Sequence, residues 1–533
     1  MAVSLMFTGT LFPYQAEGVQ ALLSRRRLLV AYSMGTGKTV MTIAALEEMV
    51  GSGKISCCLL LVPASLRWQW AASFARFTDM PTRRLPLRNG AVLEVPTESV
   101  CMVIDGSPAQ RRRQWRAAAH ADYVIASHGA VLTDWADITA LPVDAMVLDE
   151  ATAIKNFRAE TTKRIKRLRP PVRVALAGAP VENAADEIYS IMQWVDPAVL
   201  GRWDLFEKSF IERTAFGGVS RYKNLGLLHQ KLAPAMIRKS RLDPEVARYL
   251  PRVTEATRLV TLDPTTRTIY KAILADLQAA LEELAEAGGS FDLAAHYAGL
   301  PGAAGGGPRG KVMARLQAAR MLLDHPQLLM DSACDHHASR GGSAYAAAFA
   351  ASRYDLPDFY HSPKLSALDE LTEVMLADGA KVAVFTEYRR MLPYVCERLD
   401  RHGGLVTFHG GMGATEKAAA KARFQQDPGC RIFISTNSGG YGLDLPEAQY
   451  LINYDLPYSN GLLQQRNTRH VRASSTHARV YVMNLVVSGT IEERVLATLK
   501  ARGSVADAIV DGKGTGALDM SVESLGEHIG RSG

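Results

Sequence analysis

A short glycine-rich stretch of this chain combines the groups that proteins use to hold a nucleotide phosphate. It follows the apolar run 28–31, precedes the helix-like stretch 40–46, and reads Met34-Gly35-Thr36-Gly37-Lys38-Thr39. Backbone N–H groups in such a loop, together with the N-terminus of the following helix, point at anionic oxygens. We expect Lys38 to reach the β- and γ-phosphates of a nucleotide and Thr39 to hold Mg²⁺.

Two adjacent carboxylates, Asp149 and Glu150, follow another apolar run at 145–148. At the end of a buried strand such a pair is costly without a nearby cation. An isolated Asp-Glu pair usually marks only the end of a strand, but this one lies downstream of a phosphate loop. That order favours Asp149 as a water-mediated ligand of Mg²⁺ and Glu150 as the group that polarises the attacking water.

A third cluster, residues 464–472, carries Arg469 and Arg472 three positions apart. If this segment is helical, the two side chains share one face of the helix. Two guanidiniums on one face can clamp a γ-phosphate, whereas the alternative is a solvated basic face. The position of this cluster after the two others favours the phosphate clamp.

The elements that must position these side chains follow an alternating α/β rhythm. Continuous apolar runs of four to six residues are typical of buried parallel strands, and two groups of five such runs are separated by about 200 residues. We therefore expect two α/β lobes. The predicted strands are Leu28–Ala31, Cys58–Val62, Tyr123–Ala126, Ala145–Leu148 and Val174–Ala177, and then Val382–Phe385, Leu405–Phe408, Ile432–Ser435, Leu451–Tyr454 and Val480–Leu485.

The material between the two groups differs in composition. Leucines at helical spacing predict a helix over 264–286, and small-residue stretches at 285–307 and 339–352 predict flexible loops. The expected domains are a first lobe at 1–255, a helical linker or protrusion at 256–360, and a second lobe at 361–533. The tail beyond Gly512 is expected to be poorly packed.

Composition limits the class of protein and its partners. The 533 residues are 47% hydrophobic and exceed the size of one ordinary core, and no apolar run reaches the roughly 18–20 residues that span a bilayer. A formal net charge of +7 suits a polyanionic partner, although charge alone does not show DNA binding. Six scattered cysteines and the absence of a secretion signal predict a cytoplasmic protein, in a bacterial cell or a phage-infected host.

Taken together and in order, the motifs resemble those of the Swi/Snf-type superfamily 2 helicase-like ATPases, a family of duplex-DNA translocases. The segment 31–39 resembles A-D-E-M-G-L-G-K-T, so Tyr32 stands where that family also lacks a glycine. The other matching segments are 11–19, 60–66, 125–128, 149–156 (D-E-A-H-x-I-K-N), 176–183 (L-T-G-T-P-I-x-N), 435–445 (S-T-x-A-G-G-x-G-L-N-L) and 489–494.

The resemblance implies a fold and a set of roles. The fold is α/β with two RecA-like lobes, each a mostly parallel sheet flanked by helices, joined by a helical linker or protrusion. ATP, with Mg²⁺, would bind between the lobes. The implied nucleotide-binding residues are Gln15 for the adenine edge, Gly35, Thr36, Gly37, Lys38, Thr39 and Asp444; the implied catalytic residues are Lys38, Glu150, Gln465, Arg469 and Arg472; and Thr39 and Asp149 are the implied metal ligands.

The resemblance also implies contacts with the DNA backbone by Ser65, Ser127 and Thr436. Such contacts go to phosphate and carry no sequence information, so little sequence preference is expected. Trp68 and Trp70, which follow a predicted strand, are expected to serve packing. The expected protein partners act in replication, repair or recombination. The expected source is a bacterium or a phage.

Three departures from the family pattern bear on how ATP hydrolysis is coupled to movement. Thr152 replaces a histidine that can link hydrolysis to DNA contacts, and Ala177 and Ala179 replace two threonines. Because the lysine, both carboxylates and both arginines are retained, we expect hydrolysis to survive and its coupling to differ.

Three functions fit these observations. The first is an ATP-dependent motor that translocates on duplex DNA or remodels DNA and protein–DNA structures. The second is a helicase that separates strands of DNA or RNA, which would share every ATP motif and differ by a wedge element. The third is a nucleotide-regulated DNA-binding module with little turnover, for which the three departures are the only support.

Overall fold

The computed structural model describes residues 7–86, 92–182, 184–213, 219–287, 307–339, 341–352, 362–437 and 443–512. The chain forms two compact units. The described residues of the first unit lie within 1–210, 223–250 and 503–516, and those of the second lie within 211–222 and 251–502. This division places the predicted linker, 256–360, with the second unit, and the predicted boundaries at 255 and 360 stay predictions.

The strands of the first unit lie where apolar runs precede polar or glycine-rich turns. They are β1 Arg27–Tyr32, β2 Cys58–Val62, β3 Thr82–Pro86, β4 Val92–Pro96, β5 Cys101–Val103, β6 Tyr123–Ser127, β7 Ala145–Leu148, β8 Val172–Leu176 and β11 Met236–Lys239. Seven of them form one parallel sheet in the order β11-β1-β8-β7-β2-β6-β5, and β3 and β4 form an antiparallel pair. The carboxyl ends of the parallel strands therefore meet at one edge. This edge positions the predicted site residues of the first unit except Gln15, which lies in a helix that precedes β1.

The strands of the second unit show the same arrangement. They are β9 Ile211–Arg213, β10 Val219–Tyr222, β12 Arg252–Val260, β13 Val382–Thr386, β14 Gly404–Phe408, β15 Cys430–Thr436, β16 Tyr450–Asn453 and β17 Arg479–Val487. Six of them form a parallel sheet in the order β12-β17-β16-β13-β15-β14. All ten predicted strands are confirmed, with ends that differ by up to two residues, because fully buried parallel strands need continuous apolar sequence.

Helices cover both sheets. The first unit contains α1 Pro13–Ser24, α2 Lys38–Gly51, α3 Arg67–Phe77, α4 Pro108–Ala118, α5 Ala130–Thr133, α6 Trp135–Ala140, α7 Glu160–Arg167, α8 Ala185–Val195, α9 Pro197–Leu200, α10 Trp203–Phe210, α11 Leu225–Leu232 and α12 Pro244–Ala247. From residue 251 onward the helices are α13 Pro264–Glu286, α14 Pro308–Asp324, α15 Pro326–His337, α16 Ala344–Ala350, α17 Pro363–Ala377, α18 Met391–Leu399, α19 Ala414–Gln426, α20 Asn460–Asn467 and α21 Ile491–Val510. The helix predicted over 264–286 is confirmed.

One loop prediction is wrong. Residues 344–350 form a helix within the segment predicted to be flexible, and Ser343 caps it by accepting a hydrogen bond from the amide of Ala346. Alanine has the highest helix propensity, and burial of Ala346, Ala347 and Phe349 stabilises the turn further. Most of the other small-residue segment and the tail beyond Gly512 lie outside the described residues. Within the described part of the chain, no helix is long and apolar enough to cross a membrane.

Candidate nucleotide site

The phosphate loop joins β1 to α2 in the first unit. Gly35 and Gly37 have φ angles of 80° and 82°, in the left-handed region that glycine adopts without a steric penalty. Helix α2 begins at Lys38, so its first backbone N–H groups face the loop. The ammonium group of Lys38 donates to the carbonyl oxygens of Tyr32, at 2.8 Å, and Ser33, at 3.1 Å. The lysine is therefore folded back over its own loop. A bound phosphate would compete with these two carbonyl oxygens for its ammonium group.

The residues of α1 close the other side of this loop. Gln15 is buried, and its Nε2 donates to the carbonyl oxygen of Thr36 over 2.9 Å. The hydroxyl of Tyr14 donates to the same oxygen over 3.0 Å, and the hydroxyl of Tyr32 donates to the carbonyl of Tyr14 over 3.1 Å. A Cβ on Gly37 would lie 2.2 Å from Gln15 Nε2. The structure thus brings Gln15 to the phosphate loop, and Tyr32 ties the end of β1 to the helix that carries Gln15.

The two carboxylates follow β7 at the same edge of the sheet. Asp149 is buried, and its Oδ2 accepts a hydrogen bond of 2.8 Å from Trp70 Nε1. Burial raises the pKa of Asp149, while the Trp70 hydrogen bond and the charge of Lys38 act in the opposite direction. Glu150 has a φ of 49°, which is uncommon for a non-glycine residue and is a feature of many functional sites.

Trp70 makes a contact with a predicted site residue that sequence analysis did not detect. Its burial confirms the expected packing, but its indole N–H also reaches the carboxylate predicted to bind Mg²⁺. The signal available was chemical: a buried indole N–H needs an acceptor, and an aspartate following a buried strand is a suitable one. Trp68, by contrast, donates to Oδ2 of Asp105 over 2.8 Å.

Ser65 and Ser127 are the residues of the first unit predicted to contact the DNA backbone. Ser65 follows β2, and Ser127 ends the neighbouring strand β6. Ser65 lies in a 3₁₀ turn, Ala64–Leu66, and Ser127 lies opposite Val62 of β2. The next residue, His128, donates from Nε2 to the carbonyl oxygen of Asp149 over 2.8 Å. Burial lowers the pKa of His128 to about 4, so the ring is neutral at pH 7. One hydrogen bond therefore joins the Ser127 segment to the backbone of Asp149, which is predicted to bind Mg²⁺.

An ion pair joins the two loops that contain the departures from the family pattern. Lys155, shortly after Thr152, contacts Glu182 and lies 3.9 Å from an oxygen of Glu187. The backbone amide of Glu182 donates to Glu187 over 2.6 Å. Charged side chains thus connect the loops after β7 and β8. The loop after β8 also contains Ala177 and Ala179, which lack the hydroxyl groups of the family's threonines.

In the second unit the structure corrects the predicted helix. Helix α20 ends at Asn467, so Arg469 and Arg472 lie beyond it and do not share a helical face. The hydroxyl of Thr468 donates to the carbonyl of Gln464 over 2.8 Å, and Arg472 Nη1 donates to the carbonyl of Thr468 over 2.5 Å. These contacts occupy carbonyl groups at the end of the helix, and they outweigh the local tendency to continue it.

Five predicted residues of the second unit lie near this helix end or near the end of the neighbouring strand. Gln465 is buried within α20, and Thr436, at the end of β15, is only 2% exposed. The guanidinium of Arg472 pairs with Asp444, and Arg469 Nη1 donates to the carbonyl of Leu443 over 3.3 Å. Asp444, Arg469 and Arg472 are therefore brought together. The roles predicted for all the site residues stay predictions.

Two family models match consecutive parts of this chain. Residues 14–295, more than half of the chain, match the family model described as the SNF2-related domain, and residues 363–474 match the helicase conserved C-terminal domain. YwqA of Bacillus subtilis is 26% identical over 536 residues, which cover 98% of this chain and 51% of that protein. The ATP-dependent helicase brm of Drosophila melanogaster is 24% identical over 542 residues, which cover 96% of this chain and 30% of brm.

The fold is similar to that of a solved helicase domain. The Hef helicase domain of Pyrococcus furiosus superposes with a TM-score of 0.53 at 17% identity, covering 91% of this chain and 97% of that chain. The likeness supports two parallel-sheet α/β lobes. The chain spans about half the length of the Bacillus relative and a smaller share of the Drosophila relative.

Proposed function

Because this chain belongs to the family defined by the SNF2-related domain, we propose that it is an ATP-driven motor that translocates on duplex DNA. The observation that carries the proposal is the hydrogen bond between His128 and the carbonyl of Asp149. It connects the segment predicted to contact a DNA phosphate, at Ser127, with the backbone of Asp149, the residue whose carboxylate is predicted to bind Mg²⁺. A motor needs such a connection, since movement must follow from events at the nucleotide.

The donor set of the first unit fits ATP and Mg²⁺. Burial raises the pKa of Asp149, and Lys38 lies close enough for its charge to oppose that rise. Left-handed glycines shape the loop that leads to Lys38. Mg²⁺ would neutralise charge on the phosphate oxygens. Lys38 would bind the triphosphate, Thr39 and Asp149 would hold Mg²⁺, and Glu150 would orient and polarise the attacking water.

The second unit supplies the remaining groups. Arg469 and Arg472 stabilise the negative charge that develops on the γ-phosphate, and Gln465 orients the same end of the nucleotide. Alternate binding and release of the DNA backbone, through Ser65, Ser127 and the segment at Thr436, converts hydrolysis into stepping. Because these contacts go to phosphate, the motor has little sequence preference. We place the protein in the cytoplasm of a bacterial cell or a phage-infected host.

The test is the ATPase rate of the purified chain with no nucleic acid, with single strands and with duplex DNA. Stimulation by duplex DNA, absent in Lys38→Ala, supports the proposal, and equal rates under all conditions contradict it. Displacement of a third strand from a triplex without separation of a plain duplex identifies translocation. Separation of the duplex without triplex displacement identifies a strand-separating helicase instead.

A further inference from the structure

A ring of buried and half-buried polar side chains joins the ends of three parallel strands in the second unit. Asp455, which follows β16, is fully buried. Its Oδ2 accepts a hydrogen bond of 2.6 Å from the hydroxyl of Thr386 at the end of β13. Both of its oxygens accept from the backbone amide of Glu387 at 2.9 Å. The carboxylate is therefore held firmly at the carboxyl edge of the sheet.

Arg466 of α20 connects this carboxylate to the loop after β15. It is 2% exposed, and its Nη1 donates to the carbonyl oxygen of Asp455 over 2.7 Å, while Nη2 lies 3.4 Å from the Asp455 carboxylate. Its Nε donates to Oδ1 of Asn437 over 2.5 Å. Asn437 Nδ2 donates in turn to Oε1 of Glu387 over 3.1 Å, which closes the ring.

The ring fixes the orientation of the Asn437 amide. Its oxygen faces the Arg466 donor and its nitrogen faces the Glu387 acceptor, so a flipped amide would lose both hydrogen bonds. The other carboxylate oxygen of Glu387, Oε2, accepts a hydrogen bond of 2.8 Å from Arg320 Nη2. Separation of Arg466 from Asp455 is strongly unfavourable, because it would leave two buried charges unpaired. A displacement of α20 therefore acts directly on Asn437.

The two ends of the Asn437–Arg466 hydrogen bond adjoin residues with predicted roles at different ligands. Asn437 directly follows Thr436, a predicted contact with the DNA backbone, and Arg466 directly follows Gln465, a predicted contact with ATP. Asn437 also occupies a position that the family pattern of this segment leaves variable. The hydrogen bond is thus a direct side-chain connection between the two segments.

We infer that Asn437 and Arg466 are positioning residues that transmit nucleotide binding from α20 to the DNA-contacting segment at Thr436. This inference rests on the proposed function. Nucleotide phosphate shifts α20 through Gln465, Arg466 carries the shift, and Asn437 repositions the backbone at Thr436. The same connection runs in reverse, so DNA bound at Thr436 favours the position of α20 that suits hydrolysis.

The test compares Asn437→Ala with wild type in three assays: ATPase without DNA, ATPase with saturating duplex DNA, and duplex binding without nucleotide. The variant should keep its basal rate and its DNA affinity and lose at least about fivefold of the stimulation by DNA. Asn437 is half-buried, so water can replace its hydrogen bonds and the fold should survive. Gln425→Ala is the matched control, since it also removes an amide-to-carboxylate hydrogen bond, of 3.1 Å to Glu447, in the same unit.

A second variant, Arg466→Lys, keeps the positive charge beside Asp455 but lacks the planar fork that also reaches Asn437. It should lose the same stimulation, and the double variant should lose no more than either single one, because both changes break one connection. Additive losses contradict the inference. So does an Asn437→Ala protein that retains full stimulation, or one that loses basal rate and DNA binding together, which indicates only a structural role. Absence of stimulation in wild type instead overturns the motor function itself.

Discussion

Arg472 donates a hydrogen bond from Nε to Oδ1 of Asp444 over 2.7 Å, and its Nη2 contacts the same oxygen. The guanidinium predicted to meet a γ-phosphate is therefore paired with a carboxylate of its own unit. The arginine side chain is 16% exposed and the aspartate 37%. The family pattern has asparagine at position 444, which could accept the same hydrogen bond without a negative charge. In this chain, a nucleotide phosphate must therefore compete with the Asp444 carboxylate for the guanidinium of Arg472.

We predict that Asp444→Asn lowers the KM for ATP. A partly exposed ion pair contributes about 0.2–1 kcal/mol, so its loss should lower KM by a factor of roughly 1.4 to 5. Steady-state ATPase kinetics at low salt measure the change, with Glu447→Gln as a control that removes another carboxylate from the same unit. A rise in KM would mean that Asp444 contacts the nucleotide directly, as its motif implies.

Replacement of Trp70 by phenylalanine should weaken metal binding while preserving the fold. The aromatic ring remains in its buried site, and only the indole donor to Asp149 is lost. A hydrogen bond to a charged group contributes about 1.5–3 kcal/mol, so the Mg²⁺ concentration for half-maximal ATPase should rise roughly tenfold or more. Trp68→Phe is the control, since Trp68 donates to Asp105 instead.

The same variant should change the pH dependence of ATPase activity in a defined direction. Burial already raises the pKa of Asp149, and the Trp70 hydrogen bond opposes that effect. Without the donor, the pKa of Asp149 rises further, so the carboxylate is protonated at a higher pH. The acidic limb of the activity profile of Trp70→Phe should move to higher pH; an unchanged limb contradicts the assignment of Asp149 as a metal ligand controlled by Trp70.

Replacement of Glu150 by glutamine should stop hydrolysis and leave nucleotide binding intact. The amide keeps the size of the side chain but cannot polarise water, and a general base of this kind contributes about 10²–10⁴-fold to a rate. We expect a fall of that order in kcat, with binding of a fluorescent ATP analogue changed by less than about twofold. Loss of binding together with turnover would point to a structural role for Glu150 at its left-handed backbone position.

Glu47 should make the stability of the first unit depend on pH. It is 1% exposed, its Oε1 accepts a hydrogen bond of 2.6 Å from Tyr123, and burial raises its pKa to about 7. Because the folded-state pKa lies above the ordinary value of 4.5, the folded state binds the extra proton. The stability contributed by the protonated form is complete below about pH 4.5 and is lost as pH rises toward and through 7.

The neutral variant Glu47→Gln should remove this pH dependence. It should raise the free energy of unfolding at pH 8 by at most roughly 3 kcal/mol relative to wild type and have little effect at pH 4.5. Thermal unfolding of both proteins at the two pH values measures the difference. A variant destabilised equally at both values would show that the ionised carboxylate stabilises the fold.

The location of much of the candidate site could be predicted because its members lie in short segments with a chemical logic of their own. The loop at 35–39 and the pair Asp149 and Glu150 each follow an apolar strand, and parallel strands bring their carboxyl ends to one edge. Contacts between distant segments could not be predicted in this way. Trp70 and Asp149 are 79 residues apart, and Arg466 and Asn437 are 29 apart, with no local pattern that pairs them.

The sequence by itself determined the strands, the phosphate loop and the order of the motifs, since these depend on hydrophobic periodicity and on backbone freedom within a few residues. Tertiary structure decided which partner holds Arg472, and that Tyr32 ties the phosphate loop to the helix carrying Gln15. Helix propensity differs by less than about 1 kcal/mol between most residues. Buried hydrogen bonds and ion pairs between distant segments outweigh it, and they exist only once the chain has folded.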